Sequence, residues 1–297
     1  MDKKLITGSE GFIGKNINGE IRVSRNVCDL TKYDDVLNIF KYHQPNTIIH
    51  CAAKHGSALE MNKNHSKYLE ENILIDLNII KACKEADVKN LMMLASITSF
   101  PENCSYPLKE EGFHSGKISD RFFGYAYSKS IVPNLCKAYQ LDYNLNYKSI
   151  LLGNVYGPHS KFNLNSTVIP NLIYRFVEAK NNNTDVYVYG DGTDKRNFIH
   201  VQDLNYLLDL IIKNENIKDP LIVSSDQICS IREIIEIIKN KIQFKNSVTF
   251  DVQQNIGIKD KTCDISLLKQ NIGSYEFTDI TTGINNTIDW YLANESK

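Results

Sequence analysis

The sequence predicts an α/β fold in which a doubly wound parallel sheet carries a smaller mixed α/β lobe. Three observations predict it: short apolar runs alternate with amphipathic stretches through the first half, three glycines follow the first run, and the rhythm changes after about residue 153. We therefore expect two units, 1–153 and 154–297, with some later strands and helices returning to the first unit.

The first half predicts five strands separated by helices. The strands are expected at 3–7, 20–24, 46–52, 90–96 and 146–153, and the helices at 32–43, 65–86 and 125–141. In the longest helix, a face of apolar residues recurs at helical spacing and is expected to pack on the core; it comprises Leu69, Ile73, Leu77, Ile80 and Cys83.

The second half predicts the smaller lobe. Shorter strands are expected at 185–189, 221–225 and 248–252, and helices at 165–180, 201–214, 230–241 and 281–293. The sequence contains no repeat and no flexible linker, so we expect the two lobes to be intimately joined.

Composition excludes several classes of function. A formal net charge of −1 over 297 residues gives no bulk argument for binding nucleic acid or an anionic membrane. We recognise no signal peptide and no apolar run long enough to span a bilayer. The seven cysteines are scattered, without a C-x-x-C pair, which favours a reducing cytoplasm over a disulfide scaffold and predicts no metal site.

The first strand runs into TGSEGFIG, which places Gly8, Gly11 and Gly14 in a G-x-x-G-x-x-G pattern. Glycines at such a turn let backbone N–H groups approach a pyrophosphate. A plain tight turn is the alternative, but the position after an N-terminal strand favours a Rossmann-type dinucleotide site. This spacing resembles that of the short-chain dehydrogenases.

The end of the second strand predicts the choice of cofactor. Arg22 and Arg25 lie there, and no acidic residue takes the place where one would bind the ribose hydroxyls of NAD. Arg25 can pair with a 2′-phosphate, so NADPH is favoured over NAD. Two observations weigh against this: Arg25 can also be a solvated surface residue, and Glu10 in the glycine loop would repel the phosphate if it pointed inward.

Tyr125 and Lys129 are four residues apart on one predicted helix face. A lysine ammonium next to a tyrosine stabilises the phenolate, so we expect the pKa of Tyr125 to be lowered. Ser96 ends the fourth strand and is a second donor to a carbonyl oxygen, which predicts a site that reduces a ketone with hydride from a nicotinamide.

Four segments resemble the nucleotide-sugar branch of the extended short-chain dehydrogenase/reductases, and most closely the GDP-L-fucose synthase family. They are CAAKHG (51–56), YLEENILIDLNIIKAC (68–83), NVYGPHSKFNLNSTVIPNLIYRF (154–176) and VYVYGDGTDKRNFIHVQDL (186–204). The resemblance implies a 4-keto sugar linked to GDP as the substrate, and a homodimer built on the helices at 65–86 and 125–141.

The resemblance also implies roles for individual residues. Ser96, Tyr125 and Lys129 match the catalytic triad, and Asp29 and Leu30 match a pair that contacts adenine. The remaining cofactor residues are Gly8, Gly11, Phe12, Ile13, Gly14, Arg25, Ala52, Ala53 and Lys54. The implied substrate residues are Thr98, Asn154, Thr167, Val168, Leu172, Arg175, Tyr189, Arg196 and Lys261.

The sequence departs from this family at two positions. The fucose synthases have a cysteine and a histidine where this chain has Thr98 and Thr167, and that pair inverts C3 and C5 of the sugar. A threonine hydroxyl has no pKa near neutrality and does not readily remove a proton next to a ketone. We therefore expect a C4-reductase of a GDP-linked 4-keto 6-deoxy-hexose or heptose that does not epimerise its substrate.

Three alternatives stay open at this point. Another residue can restore full epimerase-reductase chemistry, and the candidates are His55, His65, His114 and His159. The chain can instead be an NAD-dependent 4-epimerase, or a dinucleotide-binding protein without turnover.

Overall fold

The computed structural model describes residues 3–56, 58–253 and 259–295. The strands within these ranges are β1 (Lys4–Thr7), β2 (Ile21–Val23), β3 (Thr47–His50), β4 (Asn90–Ser96), β5 (Asn146–Leu152), β6 (Asn154–Tyr156), β7 (Val186–Tyr189), β8 (Lys195–His200), β9 (Leu221–Val223), β10 (Ile228–Ser230), β11 (Val248–Asp251) and β12 (Asp260–Lys261). The α-helices are α1 (Phe12–Asn16), α2 (Tyr33–His43), α3 (Ala58–Lys63), α4 (His65–Glu85), α5 (Phe123–Tyr143), α6 (Val168–Asn181), α7 (Val201–Lys213), α8 (Ile231–Ile242), α9 (Ser266–Ile272) and α10 (Ile280–Asn294).

The main sheet has six strands in the order β2-β1-β3-β4-β5-β9, and each neighbouring pair is parallel. Its central strands β3, β4 and β5 are buried along nearly their whole length, because helices cover both faces of a parallel sheet. Helices α2, α4 and α5 pack together, while α1, α7 and α9 form a second group. The predicted fold class, a doubly wound parallel sheet of the Rossmann type, is confirmed.

The second lobe has its own hydrophobic core. Strand β8 lies between β10 and β12 and also pairs with β6, and β7 pairs with β11. The core of this lobe includes Ile173 and Phe176 of α6, Ile234 and Ile238 of α8, and Ile284 of α10. The sequence analysis did not predict β6, β8, β10 or β12, because β6, β10 and β12 are at most three residues long and β8 and β12 consist mostly of polar residues.

Several elements of the later half belong to the first core. The buried leucines and isoleucines of α7 pack there, as does Leu268 of α9, and β9 is the sixth strand of the main sheet. The chain therefore crosses between the two lobes more than once. The predicted boundary between the two units, near residue 153, stays a prediction, and it concerns only the first of these crossings.

The face of α4 that packs inward differs from the expected one. Leu77 is exposed and Leu69 and Ile73 are only half-buried, although Ile80 and Cys83 are buried as expected. The fully buried face instead carries two polar residues, Asn72 and Asp76. The expected face was wrong at Leu69, Ile73 and Leu77, because the prediction counted apolar residues only. Asn72 and Asp76 can be buried because each has hydrogen-bond partners.

The helices of the described residues include none that is both long enough and apolar enough to cross a membrane.

Candidate active site at the carboxyl ends of the parallel strands

The strand order of the main sheet reverses at β1. Strand β2 pairs with one edge of β1 and β3 pairs with the other, so the connections diverge on either side of the loop that follows β1. Ligands of open α/β sheets bind in the crevice at such a switch point, beyond the carboxyl ends of the strands. The glycine loop and the residues after β3 both lie at this position.

The glycine loop is packed too tightly for side chains. Gly8 has φ of +65°, and a Cβ built on it would lie 2.7 Å from the Cα of Ala52. A Cβ on Gly14 would lie 2.2 Å from the carbonyl oxygen of Gly8. Backbone that can be approached this closely fits the pyrophosphate of a dinucleotide. Phe12 and Ile13 follow directly as the start of α1.

The Arg22 side chain supports the glycine loop through hydrogen bonds. Arg22 was not among the predicted site residues. Its guanidinium donates to the carbonyl oxygens of Ile17 at 3.1 Å and Ser9 at 3.3 Å, and also to that of Gly14. These bonds leave Arg22 committed to the loop. No sequence pattern could distinguish this supporting role from the role of Arg25, which lies beside Glu71.

Arg25 and Lys54 converge on one carboxylate. The Lys54 ammonium lies 2.6 Å from Glu71 and the Arg25 guanidinium 3.7 Å from it, and the Arg25 side chain is 81% exposed. Two cations beside the switch point fit the 2′-phosphate of NADP. Glu10 is exposed on the glycine loop.

Of the other predicted cofactor residues, Asp29, Leu30 and Lys54 are each held by hydrogen bonds. Asp29 accepts hydrogen bonds from the backbone and hydroxyl of Thr31, which hold its pKa below the usual value. Leu30 is half-buried, and its carbonyl accepts from Asn78. Asn72, which sequence reasoning missed, clamps Lys54 by accepting from its N–H at 2.7 Å and donating to its carbonyl at 3.1 Å. Ala53 lies beside it and is exposed.

Ser96 lies where β4 ends and a 3-10 turn begins. Its hydroxyl oxygen accepts from the backbone N–H of Thr98 at 3.1 Å, which fixes its orientation. Tyr125 is in the first turn of α5, is 8% exposed, and interacts with the Ser96 hydroxyl. The structure thus brings together the two predicted donors to a carbonyl oxygen.

Lys129 is bound to a carboxylate that the sequence analysis did not single out. Its ammonium donates to both oxygens of Asp76, at 3.2 and 3.0 Å, and both side chains are 2% exposed. Asp76 Oδ1 also lies 3.0 Å from His50 Nε2, and His50 Nδ1 lies 2.7 Å from the Thr7 hydroxyl. The lysine charge is therefore balanced next to Tyr125.

The pKa of Tyr125 is raised to about 12, chiefly by burial; the Ser96 interaction lowers it and the Asp76 charge raises it further. The expectation of a lowered pKa is wrong, because burial of the Tyr125 ring outweighs the Ser96 interaction and the Asp76 charge adds to the increase. At neutral pH Tyr125 is a phenol with a proton to donate.

Of the four histidines considered as bases, His55 lies at the site. Its ring packs edge-on against Tyr125, with centroids 5.2 Å apart, and burial lowers its pKa, so the ring is neutral at pH 7. His65 accepts from the N–H of Gly124, and His114 donates to the carbonyl of Ser130. His159 packs against Trp290 in the second lobe.

The second lobe presents basic side chains of β8 and β12. Arg196 donates to the carbonyls of Lys195 and Lys259 and lies 3.6 Å from Asp194. Lys261 pairs with Arg196 in register, and its pKa is lowered to about 8, mainly by burial and also by the Arg196 charge. Asn154 donates to the Asn197 carbonyl on the same sheet. Adjacent cations of this kind fit a diphosphate.

The remaining predicted substrate residues lie on α6 and β7. Thr167 is the exposed N-cap of α6, and Val168 follows it, 41% exposed. Leu172 lies inside the core of the second lobe. Arg175 donates to the carbonyl of Tyr187, and Tyr189 is exposed at the end of β7. The roles of these five residues at the substrate stay predictions.

A family model for the NAD dependent epimerase/dehydratase family matches residues 4–224. The chain belongs to this family. It is 30% identical to the GDP-L-fucose synthase of Dictyostelium discoideum, over 98% of this chain and 95% of that protein. The prediction of an extended short-chain dehydrogenase/reductase most like the GDP-L-fucose synthases is confirmed, and with it that of an oxidoreductase.

Solved structures agree on the fold. A GDP-L-fucose synthetase from Naegleria fowleri with bound NADP superposes with a TM-score of 0.89 at 24% identity, covering 100% of this chain and 95% of that one. MlghC, a GDP-mannoheptose C4 reductase from Campylobacter jejuni with bound NADP, has a TM-score of 0.88 at 23% identity and 98% coverage of both chains. At these identities the comparison supports the fold of both lobes.

Proposed function

We propose that the protein is an NADPH-dependent C4-reductase of a GDP-linked 4-keto sugar and that it does not epimerise C3 or C5. The observation that carries the proposal is the pairing of Tyr125 with Ser96 at the end of β4, beside a glycine loop that fits a dinucleotide. The hydroxyls of Thr98 and Thr167 occupy the positions of the fucose synthases' acid/base pair.

NADPH, when bound, supplies the hydride. Tyr125 donates the proton to the carbonyl oxygen, and the Ser96 hydroxyl donates a hydrogen bond that stabilises the charge developing there. The raised pKa of Tyr125 suits reduction, because the group is needed in its protonated form. The backbone N–H of Thr98 fixes the orientation of the Ser96 hydroxyl, and this contact does not depend on the side chain at position 98.

The preference for NADPH is supported by Arg25 and Lys54. Both cations lie within 4 Å of Glu71, at the end of the switch point where the adenosine part of a dinucleotide would lie. A 2′-phosphate would replace the Glu71 carboxylate as their partner. Bound NADP in both structural relatives supports the same choice.

GDP is the proposed carrier because its diphosphate would find Arg196 and Lys261 on adjacent strands. Relatives act on GDP-linked sugars of two kinds: the Dictyostelium protein is a fucose synthase, and the Campylobacter protein is a mannoheptose reductase. A 6-deoxy-hexose and a heptose both fit this pattern. The product would enter surface-polysaccharide biosynthesis in the cytoplasm.

A homodimer belongs to the same proposal. Helices α4 and α5 pack against each other along their length, yet α4 leaves Leu74 44% and Leu77 37% exposed, and α5 leaves Leu141 71% exposed. A second copy of the two helices would cover these leucines.

One observation favours a second candidate, the bifunctional epimerase-reductase. The His55 ring is neutral at pH 7 and packs edge-on against Tyr125, so it lies at the proposed catalytic pair. If the sugar ring reached it, the imidazole could remove a proton next to the ketone.

NADPH oxidation with purified protein tests the proposed function. We expect turnover with GDP-4-keto-6-deoxy-mannose or a GDP-4-keto-heptose, and at least about 100-fold less with the UDP-linked counterpart. Tyr125→Phe is the control: it should lower kcat by about 10²–10⁴-fold and leave NADPH binding intact. Wild-type protein that oxidises no NADPH with either sugar would contradict the proposal.

A further inference from the structure

Four buried polar side chains form a continuous chain from the glycine loop to the active-site lysine. Thr7 is the last residue of β1, His50 the last of β3, Asp76 is in the middle of α4, and Lys129 is in the second turn of α5. Each contact is between 2.7 and 3.2 Å. All four residues are at most 2% exposed.

The roles of donor and acceptor in this chain follow from its chemistry. Burial lowers the pKa of His50, so its ring is neutral and has one N–H. The Asp76 carboxylate can only accept, since the Lys129 ammonium keeps its pKa low despite burial, and His50 Nε2 therefore donates to it. His50 Nδ1 must then accept from the Thr7 hydroxyl. Only this assignment of hydrogen-bond donors and acceptors fits all the contacts of the chain from Thr7 to Lys129.

We propose that Asp76 is a positioning residue that holds the Lys129 ammonium in place and balances its charge beside Tyr125, and that His50 and Thr7 lock Asp76 in this role. The inference rests on the proposed reduction, because it concerns the proton that Tyr125 would supply. It also explains why α4 buries a charged residue at position 76.

Charged and neutral polar groups from several elements surround Tyr125. Asp76 acts on it from α4 and the Ser96 hydroxyl from β4, while the neutral His55 ring packs on it from the loop after β3. Lys129 lies four residues further along α5. Lys161 lies close enough to lower the pKa of His55. Among the acidic residues, only Asp76 acts on Tyr125 at short range in the described part of the chain.

The test compares Asp76→Asn with wild type and with Glu70→Gln, which removes the same charge from an exposed position on α4. Tyrosinate absorbance is titrated for each protein and for its Tyr125→Phe counterpart, so that the difference reports Tyr125 alone. In Asp76→Asn we expect the Tyr125 titration to move down by at least about one pH unit, a tenfold rise in phenolate at a given alkaline pH. Glu70→Gln should not move it.

The alkaline limb of kcat for NADPH oxidation should shift in the same direction, because reduction needs protonated Tyr125. Identical titrations of Tyr125 in Asp76→Asn and wild type would overturn the proposal. A shift in phenolate titration without any NADPH oxidation by wild type would instead contradict the proposed function and leave this inference standing.

Thr7→Val is the milder variant, in case Asp76→Asn does not fold. It keeps the shape of the side chain and removes only the donor to His50 Nδ1. We expect a smaller shift in the same direction, since Asp76 loses part of its support. An unchanged Tyr125 titration in Thr7→Val would overturn the roles assigned to Thr7 and His50.

Discussion

The ammonium nitrogen of Lys129 lies 3.0 Å from Oδ2 of Asp76, and each side chain is 2% exposed. Two opposite charges this deeply buried depend on each other, because a single buried charge without its partner is costly. The pair joins α4 to α5 directly beneath the proposed active site. It affects both the stability of the first lobe and the chemistry of Tyr125.

Removing one partner of this pair should lower the free energy of unfolding more than removing the charges of both partners. Lys129→Met leaves the Asp76 carboxylate buried with only His50, and we expect a loss of about 3–5 kcal/mol in the free energy of unfolding. Lys129→Met combined with Asp76→Asn should recover part of this loss. Urea denaturation measures the free energy of unfolding of the single and the double variant. A double variant less stable than the single one would show that the pair is not coupled in this way.

Asp219 should make stability depend on pH. Its carboxyl accepts from the N–H and hydroxyl of Ser149, and burial raises its pKa from 3.8 to about 6. Between about pH 4 and 6 the folded protein therefore holds a proton that the unfolded chain has lost, so this group's contribution to stability falls as pH rises through that window.

Asp219→Asn removes this dependence and can keep both hydrogen bonds to Ser149. We expect the variant to gain stability relative to wild type as pH rises from 4 to above 6, and the difference to be constant at higher pH. Thermal or urea unfolding at several pH values checks this. A difference between the two proteins that stays the same across the window would contradict the assigned pKa.

Some of the site could be predicted from the sequence because local chain chemistry determines it. Gly14 is required by its contact with the Gly8 carbonyl in the same turn, and Gly8 by its positive φ. Ser96, Tyr125 and Lys129 occupy fixed positions on a strand end and a helix. These positions follow from short spacings in the chain. The alternation of strands and helices predicted five of the six strands of the main sheet for the same reason, whereas the sixth, β9, was expected in the smaller lobe.

The buried polar network could not be predicted, because its members are far apart in sequence. Thr7, His50 and Asp76 each sit in a segment whose apolar pattern indicated core, and only the pairing of β1 with β3 and the packing of α4 bring them together. Arg22 and Arg25 illustrate the same limit: although they are three residues apart, Arg22 donates hydrogen bonds to the glycine loop and Arg25 lies beside Glu71 of α4.

Arg25 should determine the preference for NADPH. Losing one charge-assisted contact to a phosphate costs about 1.5–3 kcal/mol, so Arg25→Ala should raise KM for NADPH by about 10–100-fold and leave KM for NADH nearly unchanged. Lys41→Ala, which removes an exposed cation paired with Glu85 on the same side of the sheet, is the control. Equal changes in both KM values would contradict a 2′-phosphate site at Arg25.

Restoring the acid/base pair should restore epimerisation. The double variant Thr98→Cys with Thr167→His places a thiol beside Ser96 and an imidazole at the N-cap of α6. With substrate in D₂O, we expect it to incorporate deuterium at C3 or C5 at a rate at least about tenfold above wild type. Each single variant is a control, because both groups are needed. Equal deuterium incorporation by wild type and the double variant would argue against positions 98 and 167 as those of the acid/base pair.

The most direct test of the central claim uses wild-type protein, NADPH and GDP-4-keto-6-deoxy-mannose in D₂O, with the product analysed by NMR. We predict that NADPH is consumed and that the product carries no deuterium at C3 or C5. Deuterium at either carbon would contradict a reductase without epimerase activity, and would favour His55 as the base that replaces the lost pair.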